Sequence, residues 1–562
     1  MLAPCHTGHV ETALAHRSYL PETLEELFQP IRLDTFGDLL LAYAAELATM
    51  QEVAQAVGAK SHVLRYFARG NGIEGAEGVA TRLLSLPLAV KALDSHYWSK
   101  AMALTDVYDA MPAERKSQWT TMVGDLDAVP TFDAPTIQAT FAQLLADRGK
   151  YFAERVEGVW KALSPDHVTN WTRTKRRPGE GQGADPVGCM SGFKSKLIMA
   201  RVLHTDGWVY ADSGKCEYVT DLRRVIAAFS GRGDPDYSTT SDVLRWARET
   251  HRGEWVWLDG NSWAVRMYDN GNAHIQLHPE YVWRLNNVLA SLHPRALSAD
   301  ALSRPPKRAK AVDLADSVLH FAVVRALSSS NVSEHGGGGW SCWCGSIDLP
   351  DHHARAVRDA LVAIGGTPRV NGGGADFDYC PSSVIRRICA TGMLPDKVLH
   401  QFYPTPAPIA ARVVELAGIQ PGHTVLEPSA GTGSIARHVP RSADLTCVEI
   451  ADLHCTVLAS RVPWASRDQG DFLALADQLG SFDRVVMNPP FSAGRWQAHT
   501  EAAARVLAPG GVLVAVLPAS AAGKVAGLLG PAYTVEDLDR FEDEWPDASV
   551  DVVLVRVTRG QA

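Results

Sequence analysis

Apolar side chains recur at every third or fourth position through much of the first 160 residues. Such runs cover Thr35–Val57, Val79–Leu93 and Thr136–Leu163. This spacing places apolar side chains along one face of an α-helix. The pattern therefore predicts a helical accessory domain over residues 1–164.

Strand-like alternation appears in the next segment, residues 165–295. Glu254–Leu258 and Ser262–Tyr268 have strand-like patterns, and Asp269–Asn272 then leads into Ala273–Leu277. The Asn-Gly pair in this turn supplies the positive φ angles of a tight hairpin. A helix is predicted over Glu280–Leu292, so the segment is predicted to be an α+β accessory domain.

Three further segments follow. Residues 296–312 are predicted to be a basic, proline-containing linker, and residues 313–400 a small α+β module with a helix at His352–Ile364. Residues 401–562 alternate strand and helix signals, which is typical of a parallel sheet covered by helices. The fold class is thus multi-domain: a mainly helical and α+β N-terminal region, then a C-terminal α/β Rossmann-like domain.

Composition narrows the class of protein. The chain has 562 residues, 46% hydrophobic and 21% charged, with net charge −9 and nine cysteines. These values exclude a largely disordered chain, a disulfide scaffold and a strongly basic nucleic-acid binder. No apolar run reaches the ~18 residues of a membrane span, and the first residues do not resemble a secretory signal. We expect a cytoplasmic protein.

A glycine-rich turn carries the first chemical signal. The apolar strand from Thr424 runs into Glu427, Pro428, Ser429, Ala430, Gly431, Thr432 and Gly433. The glycines allow a ligand to approach the backbone, and Ser434–His438 is predicted to open a helix. No lysine follows, so ATP hydrolysis is disfavoured.

Two acidic residues follow the glycine-rich turn. Glu449 lies at the end of a predicted strand, Asp444–Ile450, and Asp471 stands between Gly470 and Phe472. A carboxylate at the end of the second strand can accept hydrogen bonds from ribose hydroxyls, and Asp471 can accept from an adenine amino group beside Phe472. An exposed strand-end acid and an ordinary turn aspartate are the alternatives.

The most specific motif is Asn488-Pro489-Pro490-Phe491, at the end of an apolar strand. The prolines stiffen the loop. The Asn488 side-chain oxygen and the Pro489 carbonyl can accept both hydrogens of one amino group, and Phe491 offers a stacking face for a planar substrate.

Residues 402–562 resemble class I S-adenosylmethionine-dependent methyltransferases of the adenine-N6 type, including those of phages and mobile elements. The resemblance implies that Tyr403, Thr405 and Pro406 close over the methionine end of the cofactor. It also implies that residues 427–433, Glu449, Ile450, Asp471, Phe472 and Asn488 bind S-adenosylmethionine. The catalytic residues would then be Asn488, Pro489, Pro490 and Phe491. They would promote transfer of the methyl group from the cofactor to an adenine flipped out of duplex DNA. Many members of the family have tyrosine where this chain has Phe491.

DNA contacts are expected from the N-terminal region for two reasons. No long insertion that could recognise DNA follows the Asn488–Phe491 tetrapeptide. Residues 401–562 also carry 12 basic and 18 acidic residues, which gives a net charge of −6. Arg173, Lys175, Arg176 and Arg177 form one basic patch, and Lys307 and Arg308 belong to a second. Solvated linkers are the alternative. Residues 193–209 and 268–274 also resemble a domain of unknown function fused to mobile-element methyltransferases.

No metal site is expected, because the one-residue separation of Cys342 and Cys344 is poor zinc-ligand spacing. The predicted activity is methylation of adenine N6 in DNA, for protection of a mobile element or for restriction–modification. RNA adenine and protein glutamine are alternative substrates. A DNA-binding or anti-restriction protein that only senses the cofactor is an alternative of another class.

Overall fold

The computed structural model describes residues 14–16, 24–28, 36–59, 62–63, 66, 85–163, 192–205, 209–294, 297–306, 312–335, 338–345, 349–369, 373–394, 404–542 and 550–561. The chain divides into two compact units. The N-terminal unit comprises residues 16–257 and 261–314, and the C-terminal unit comprises residues 1–15, 258–260 and 315–562.

The described helices are α1 (Leu24–Leu27), α2 (Gly37–Ala59), α3 (Leu86–Ala103), α4 (Val107–Ala110), α5 (Ala113–Gly124), α6 (Ala134–Ala146), α7 (Arg148–Leu163), α8 (Ser213–Ala228), α9 (Tyr237–Thr250), α10 (Pro279–Leu292), α11 (Ala299–Leu302), α12 (Phe321–Ser328), α13 (Asp351–Ala363), α14 (Ser382–Thr391), α15 (Ala407–Ala417), α16 (Asp452–Arg461), α17 (Phe472–Leu475), α18 (Arg495–Arg505) and α19 (Val525–Leu529).

The described strands are β1 (Leu14–His16), β2 (Lys196–Met199), β3 (Leu203–His204), β4 (Tyr210–Ala211), β5 (Trp255–Leu258), β6 (Trp263–Met267), β7 (Ala273–Leu277), β8 (Ser317–Leu319), β9 (Asn331–His335), β10 (Gly339–Trp343), β11 (Thr367–Pro368), β12 (Gly374–Phe377), β13 (Thr424–Pro428), β14 (Asp444–Glu449), β15 (Ser466–Gln469), β16 (Phe482–Met487), β17 (Leu507–Pro518), β18 (Tyr533–Phe541) and β19 (Val552–Arg559).

An aromatic core holds the helices of the N-terminal unit together. The Trp98 ring is fully buried and lies 5.4 Å from Phe132 and 6.0 Å from Phe141, centre to centre. The buried carboxylate of Asp94 accepts hydrogen bonds from the Tyr43 hydroxyl at 2.7 Å and the Phe132 N–H at 3.0 Å. Apart from β1, the described part of residues 1–164 is helical, as predicted.

The predicted hairpin is present, and its turn packs against a neighbouring segment. Strands β6 and β7 pair antiparallel, and Gly271 between them has φ +77°. The Gly271 carbonyl accepts hydrogen bonds from the N–H groups of Val202 at 2.8 Å and Leu203 at 3.2 Å. A Cβ atom at Gly271 would lie 1.8 Å from the Leu203 carbonyl oxygen, so only glycine fits.

Gly271→Ala is expected to lower the free energy of unfolding by at least about 3 kcal/mol, because the new methyl group meets backbone and the φ angle becomes strained. Urea unfolding followed by tryptophan fluorescence measures the loss. The matched control is Gly231→Ala, at φ +63° with open space around its Cβ position, which we expect to cost about 1 kcal/mol. Equal losses in the two variants would contradict the proposed packing.

Residues 297–306 of the predicted linker are held against α10 by hydrogen bonds and an ion pair. The side-chain amides of Asn286 and Asn287 donate to the carbonyls of Ala301 at 3.2 Å and Leu302 at 2.9 Å. Arg304 pairs with Glu280 at 3.1 Å. These bonds explain why this stretch forms the short helix α11 on α10 instead of an extended connection.

A seven-stranded sheet forms the centre of the C-terminal unit. Its order is β15-β14-β13-β16-β17-β19-β18, so β15 and β18 are the outermost strands. The strands from β13 to β17 are parallel, as the alternating pattern predicts, and β19 runs antiparallel to both β17 and β18. Separate buried apolar clusters cover its two faces. This confirms an α/β fold for the C-terminal segment.

One predicted helix is much shorter than expected. The sequence after Gly433 predicts a helix that opens at Ser434, but the structure has only a 3₁₀ turn, Ala436–His438. Pro440 supplies the reason, since it disfavours helical backbone at the preceding residue and cannot donate a helical hydrogen bond.

The small module within the C-terminal unit is a second sheet with helices. Its strand order is β11-β12-β10-β9, all antiparallel, and α12, α13 and α14 belong to the same stretch. The helix predicted at His352–Ile364 is α13, Asp351–Ala363. Among the residues described in either unit, no helix is both long and apolar enough to cross a membrane.

Candidate functional site

The strand order creates a natural ligand site in the seven-stranded sheet. From β13 the chain passes outward to β14 and β15, then returns to β16 on the other side of β13. At such a switch point, the two connections leave a crevice at the carboxyl ends of the strands, where open α/β sheets bind ligands. Glu449, Asp471 and Asn488 all lie at or just beyond the carboxyl ends of the strands around this point.

The glycine loop, residues 428–433, leaves the central strand β13 with unusual backbone angles. Ser429, Gly431 and Gly433 have φ values of +65°, +56° and +78°. A Cβ atom at Gly433 would lie 2.9 Å from the Leu458 Cδ2 atom, so this glycine also permits close packing on α16. A left-handed serine is uncommon and marks backbone held by its surroundings.

Glu449 holds the glycine loop from the neighbouring strand. Its carboxylate is buried and accepts hydrogen bonds from the Gly431 N–H and the Ala451 N–H, each at 2.7 Å. The His454 Nδ1 atom lies 3.5 Å from the same carboxylate. Burial alone raises the pKa of Glu449, but these interactions outweigh it and hold the pKa below its usual value. Glu449 is therefore ionised at neutral pH.

Asn488 is oriented by a residue from the segment that precedes α15. Its side-chain Nδ2 donates to the hydroxyl of Thr405 at 3.0 Å, and Thr405 is buried. Since the amide oxygen lies on the opposite side of the group from the nitrogen, this bond fixes the direction of the oxygen. Pro489 is buried, whereas Phe491 is half-buried and packs against both apolar clusters.

His499 on α18 is a site residue that the sequence did not reveal. Its Nδ1 lies 3.3 Å from the Ser429 hydroxyl, and its ring centre lies 5.7 Å from that of Phe472. Burial lowers the pKa of His499 to about 4, so the ring is neutral at physiological pH. A lone histidine on a helix carries no pattern that predicts this contact.

Glu427 lies beneath the glycine loop and is 3% exposed. Its Oε2 atom has no hydrogen-bond partner among the described residues. Burial raises the pKa of Glu427 well above its usual value, and the nearby charge of Glu449 adds to this effect. The carboxyl group is therefore more easily protonated in the folded chain than in the unfolded one.

Glu427→Gln is expected to flatten the pH dependence of stability. A raised pKa in the folded state contributes stability that is complete below the unfolded pKa and is lost as pH rises through the folded pKa. Over that window the parent chain loses about 1.4 kcal/mol per pH unit through this group, and the glutamine variant does not. Thermal unfolding of both proteins between pH 5.5 and 8 measures this, and parallel profiles would contradict it.

A cleft of about 600 Å³ lies beside the glycine loop, between the small module and the seven-stranded domain. The module supplies His335, Gly338, Gly339, Gly365, Thr367, Asp376, Phe377 and Asp378, and the domain supplies Pro404, Thr405, Thr432, Ser434, Arg437 and Arg461. Thr405 joins this cleft to Asn488. The Thr432 hydroxyl is buried in its wall and has no partner among the described residues, so it is a polar group suited to a ligand.

The remaining predicted residues divide into three groups. Ile450 is 52% exposed beside Glu449, and the exposed Asp471 accepts a hydrogen bond from the Leu473 N–H at 3.0 Å, as a helix cap. Phe472 is 2% exposed and belongs to an apolar cluster, so its stacking on an adenine stays a prediction. Tyr403 and the basic residues Arg173, Lys175, Arg176, Arg177, Lys307 and Arg308 lie outside the described residues.

Residues 90–295 match the model of a domain of unknown function, DUF4942. The match includes residues 193–209 and 268–274, the two stretches that resemble a domain of unknown function. It also crosses residue 164, so the predicted division at that point stays a prediction. No curated protein matches this chain.

Solved structures that match part of this chain include TrmN from Thermus thermophilus, which is 20% identical over 28% of this chain and 50% of its own, with a TM-score of 0.24. The chain thus spans half the length of that relative. A putative RNA methyltransferase from Pyrococcus horikoshii is 21% identical over 29% of this chain and 88% of its own, with a TM-score of 0.26. A putative class I S-adenosylmethionine-dependent methyltransferase from Listeria monocytogenes is 16% identical over 30% of this chain and 63% of its own. Its TM-score is also 0.26.

Proposed function

We propose that the C-terminal unit transfers a methyl group from S-adenosylmethionine to N6 of adenine in DNA. One observation carries this proposal: Asn488 directly follows β16 beside the switch point, and Thr405 directs its amide. The acid Glu449 ends a strand on the other side of β13 and contacts the glycine loop. A cofactor and an amino-group acceptor can therefore meet at the carboxyl ends of adjacent strands.

The residues at this crevice fit a nucleoside cofactor. The left-handed glycine loop lets a ligand approach the backbone, and Glu449 is an ionised acceptor at the end of the second strand. Ile450 offers an exposed apolar side chain next to it, and the partnerless Thr432 hydroxyl offers a polar contact. When bound, S-adenosylmethionine supplies an electrophilic methyl group on a positively charged sulfur.

The chain's own contribution to the reaction is positioning and hydrogen bonding. The N6 lone pair of adenine is delocalised into the ring and is a weak nucleophile. The Asn488 oxygen and the Pro489 carbonyl accept hydrogen bonds from the amino group, which favours a more tetrahedral nitrogen. The exposed part of Phe491 stacks on the base. Acceptors fixed beforehand cost no reorganisation during methyl transfer.

The decisive experiment identifies the labelled product. The purified full chain is incubated with methyl-labelled S-adenosylmethionine and unmethylated genomic DNA, and the nucleosides are separated after digestion. Label in N6-methyldeoxyadenosine, absent with Asn488→Ala, is the expected result. Label only in added RNA or in protein glutamine would overturn the DNA assignment. Tight cofactor binding with no label anywhere would favour a cofactor-sensing binding protein.

A further inference from the structure

One carboxylate of the small module forms several hydrogen bonds with the seven-stranded domain. Asp378, just after β12, accepts hydrogen bonds from Arg461 Nε at 3.0 Å and Arg461 Nη2 at 2.8 Å. The same oxygen accepts from Arg437 Nη1 at 2.6 Å. Burial raises the pKa of Asp378, but the two arginines outweigh this and hold the pKa below its usual value. Asp378 is thus a charged link between the two parts of this unit.

Arg461 extends this link to the glycine loop. Its remaining nitrogen, Nη1, donates to the carbonyl oxygen of Thr432 at 3.0 Å. The guanidinium is almost fully enclosed, with 6% of the side chain exposed. Gly365 of the module allows this enclosure, because a Cβ atom there would lie 3.2 Å from Arg461 Nη1.

Arg461 donates its hydrogen bond to Thr432, which lies between two glycines with left-handed backbone angles. Gly431 and Gly433 give the backbone around Thr432 access to more conformations than other residues would. Glu449 fixes the loop on one side through the Gly431 N–H, and Arg461 fixes it on the other through the Thr432 carbonyl. A loop held in place before binding loses less conformational freedom when a ligand arrives.

We propose that Asp378 of the small module is a positioning residue for the glycine loop and acts through Arg461 on the affinity for the cofactor. The module is then part of the cofactor site rather than a separate accessory segment. This inference rests on the proposed function for the identity of the cofactor. The contact between α14 and α16 supports the docking, with Ser383 and Ser460 hydroxyls 2.9 Å apart and Arg387 paired with Asp452.

The test compares Asp378→Asn with Asp359→Asn in the full chain. Asp359 lies on α13 of the same module, but it is exposed and does not line the cleft. The dissociation constant for S-adenosylmethionine is expected to rise about tenfold in Asp378→Asn and less than twofold in Asp359→Asn. Arg461→Lys, which keeps the charge but not the forked geometry, is expected to behave like Asp378→Asn, whereas Asp378→Glu restores part of the affinity.

Hydrogen exchange separates this inference from the proposed function. In the absence of any cofactor, Asp378→Asn is expected to speed amide exchange in peptides covering residues 429–436, with no change in Asp359→Asn. Unchanged exchange and unchanged affinity in a folded Asp378→Asn protein would overturn the positioning role. If the parent chain binds no S-adenosylmethionine, the proposed function fails, and the exchange comparison alone still decides the role of Asp378.

Discussion

Replacing Asn488 with alanine is expected to lower kcat for methyl transfer at least about a hundredfold, because one preorganised acceptor at the reacting amino group is lost. The dissociation constant for S-adenosylmethionine should change less than about fivefold, since Glu449 and the glycine loop keep their contacts. Single-turnover transfer of labelled methyl groups to DNA measures the first quantity, and calorimetric titration measures the second.

Thr405→Val is the informative companion to this variant. It removes the hydroxyl that accepts from Asn488 Nδ2 but keeps a side chain of similar size. We expect a smaller loss in kcat, about tenfold, because the amide remains but is no longer held in one orientation. An Asn488→Ala protein that methylates DNA at the parent rate would remove this residue from the reaction.

Glu449→Ala is expected to weaken cofactor binding at least about a hundredfold, because it removes both a ribose acceptor and the acceptor that holds the glycine loop. The variant also leaves the N–H groups of Gly431 and Ala451 without the acceptor that they have in the parent chain. Leaving these buried donors unpaired is expected to cost about 3 kcal/mol of unfolding free energy. Calorimetric titration and urea unfolding measure the two effects separately.

Asp471→Ala provides the control for this prediction. Asp471 lies two residues beyond the carboxyl end of β15, but it is exposed and caps only the short helix α17. We expect its loss to weaken cofactor binding only several-fold. Equal affinities of Glu449→Ala and the parent chain would show that the cofactor binds elsewhere.

The strands around the site could be predicted because each is a short apolar run that ends in a polar residue. Glu449 and Asn488 follow such runs, and the parallel sheet brings their ends together. The Asn-Gly hairpin could be predicted equally well, because its turn depends on two adjacent residues. These features are local in sequence, and local pattern is what a single sequence reports.

The contacts that hold the site could not be predicted, because they join residues far apart in the chain. These contacts are side-chain hydrogen bonds, and the pairs are Thr405 with Asn488, Ser429 with His499, and Asp378 with Arg461. None of these pairs has a spacing that distinguishes it from ordinary surface residues. Pro440 is a local signal for the short turn after the glycine loop, because a proline disfavours helical backbone at the residue before it, Val439.

The outermost strands of the seven-stranded sheet bear on how the protein behaves at high concentration. All four residues of β15 are exposed, and Arg467 and Asp468 are charged. At the opposite margin, the register of β18 shifts between Asp537 and Arg540. Edge strands that are short, charged or irregular pair poorly with a strand of another molecule, and such pairing is what starts aggregation through sheet edges. We therefore expect that Arg467→Val with Asp468→Val would promote self-association without altering the crevice at the carboxyl ends of the strands.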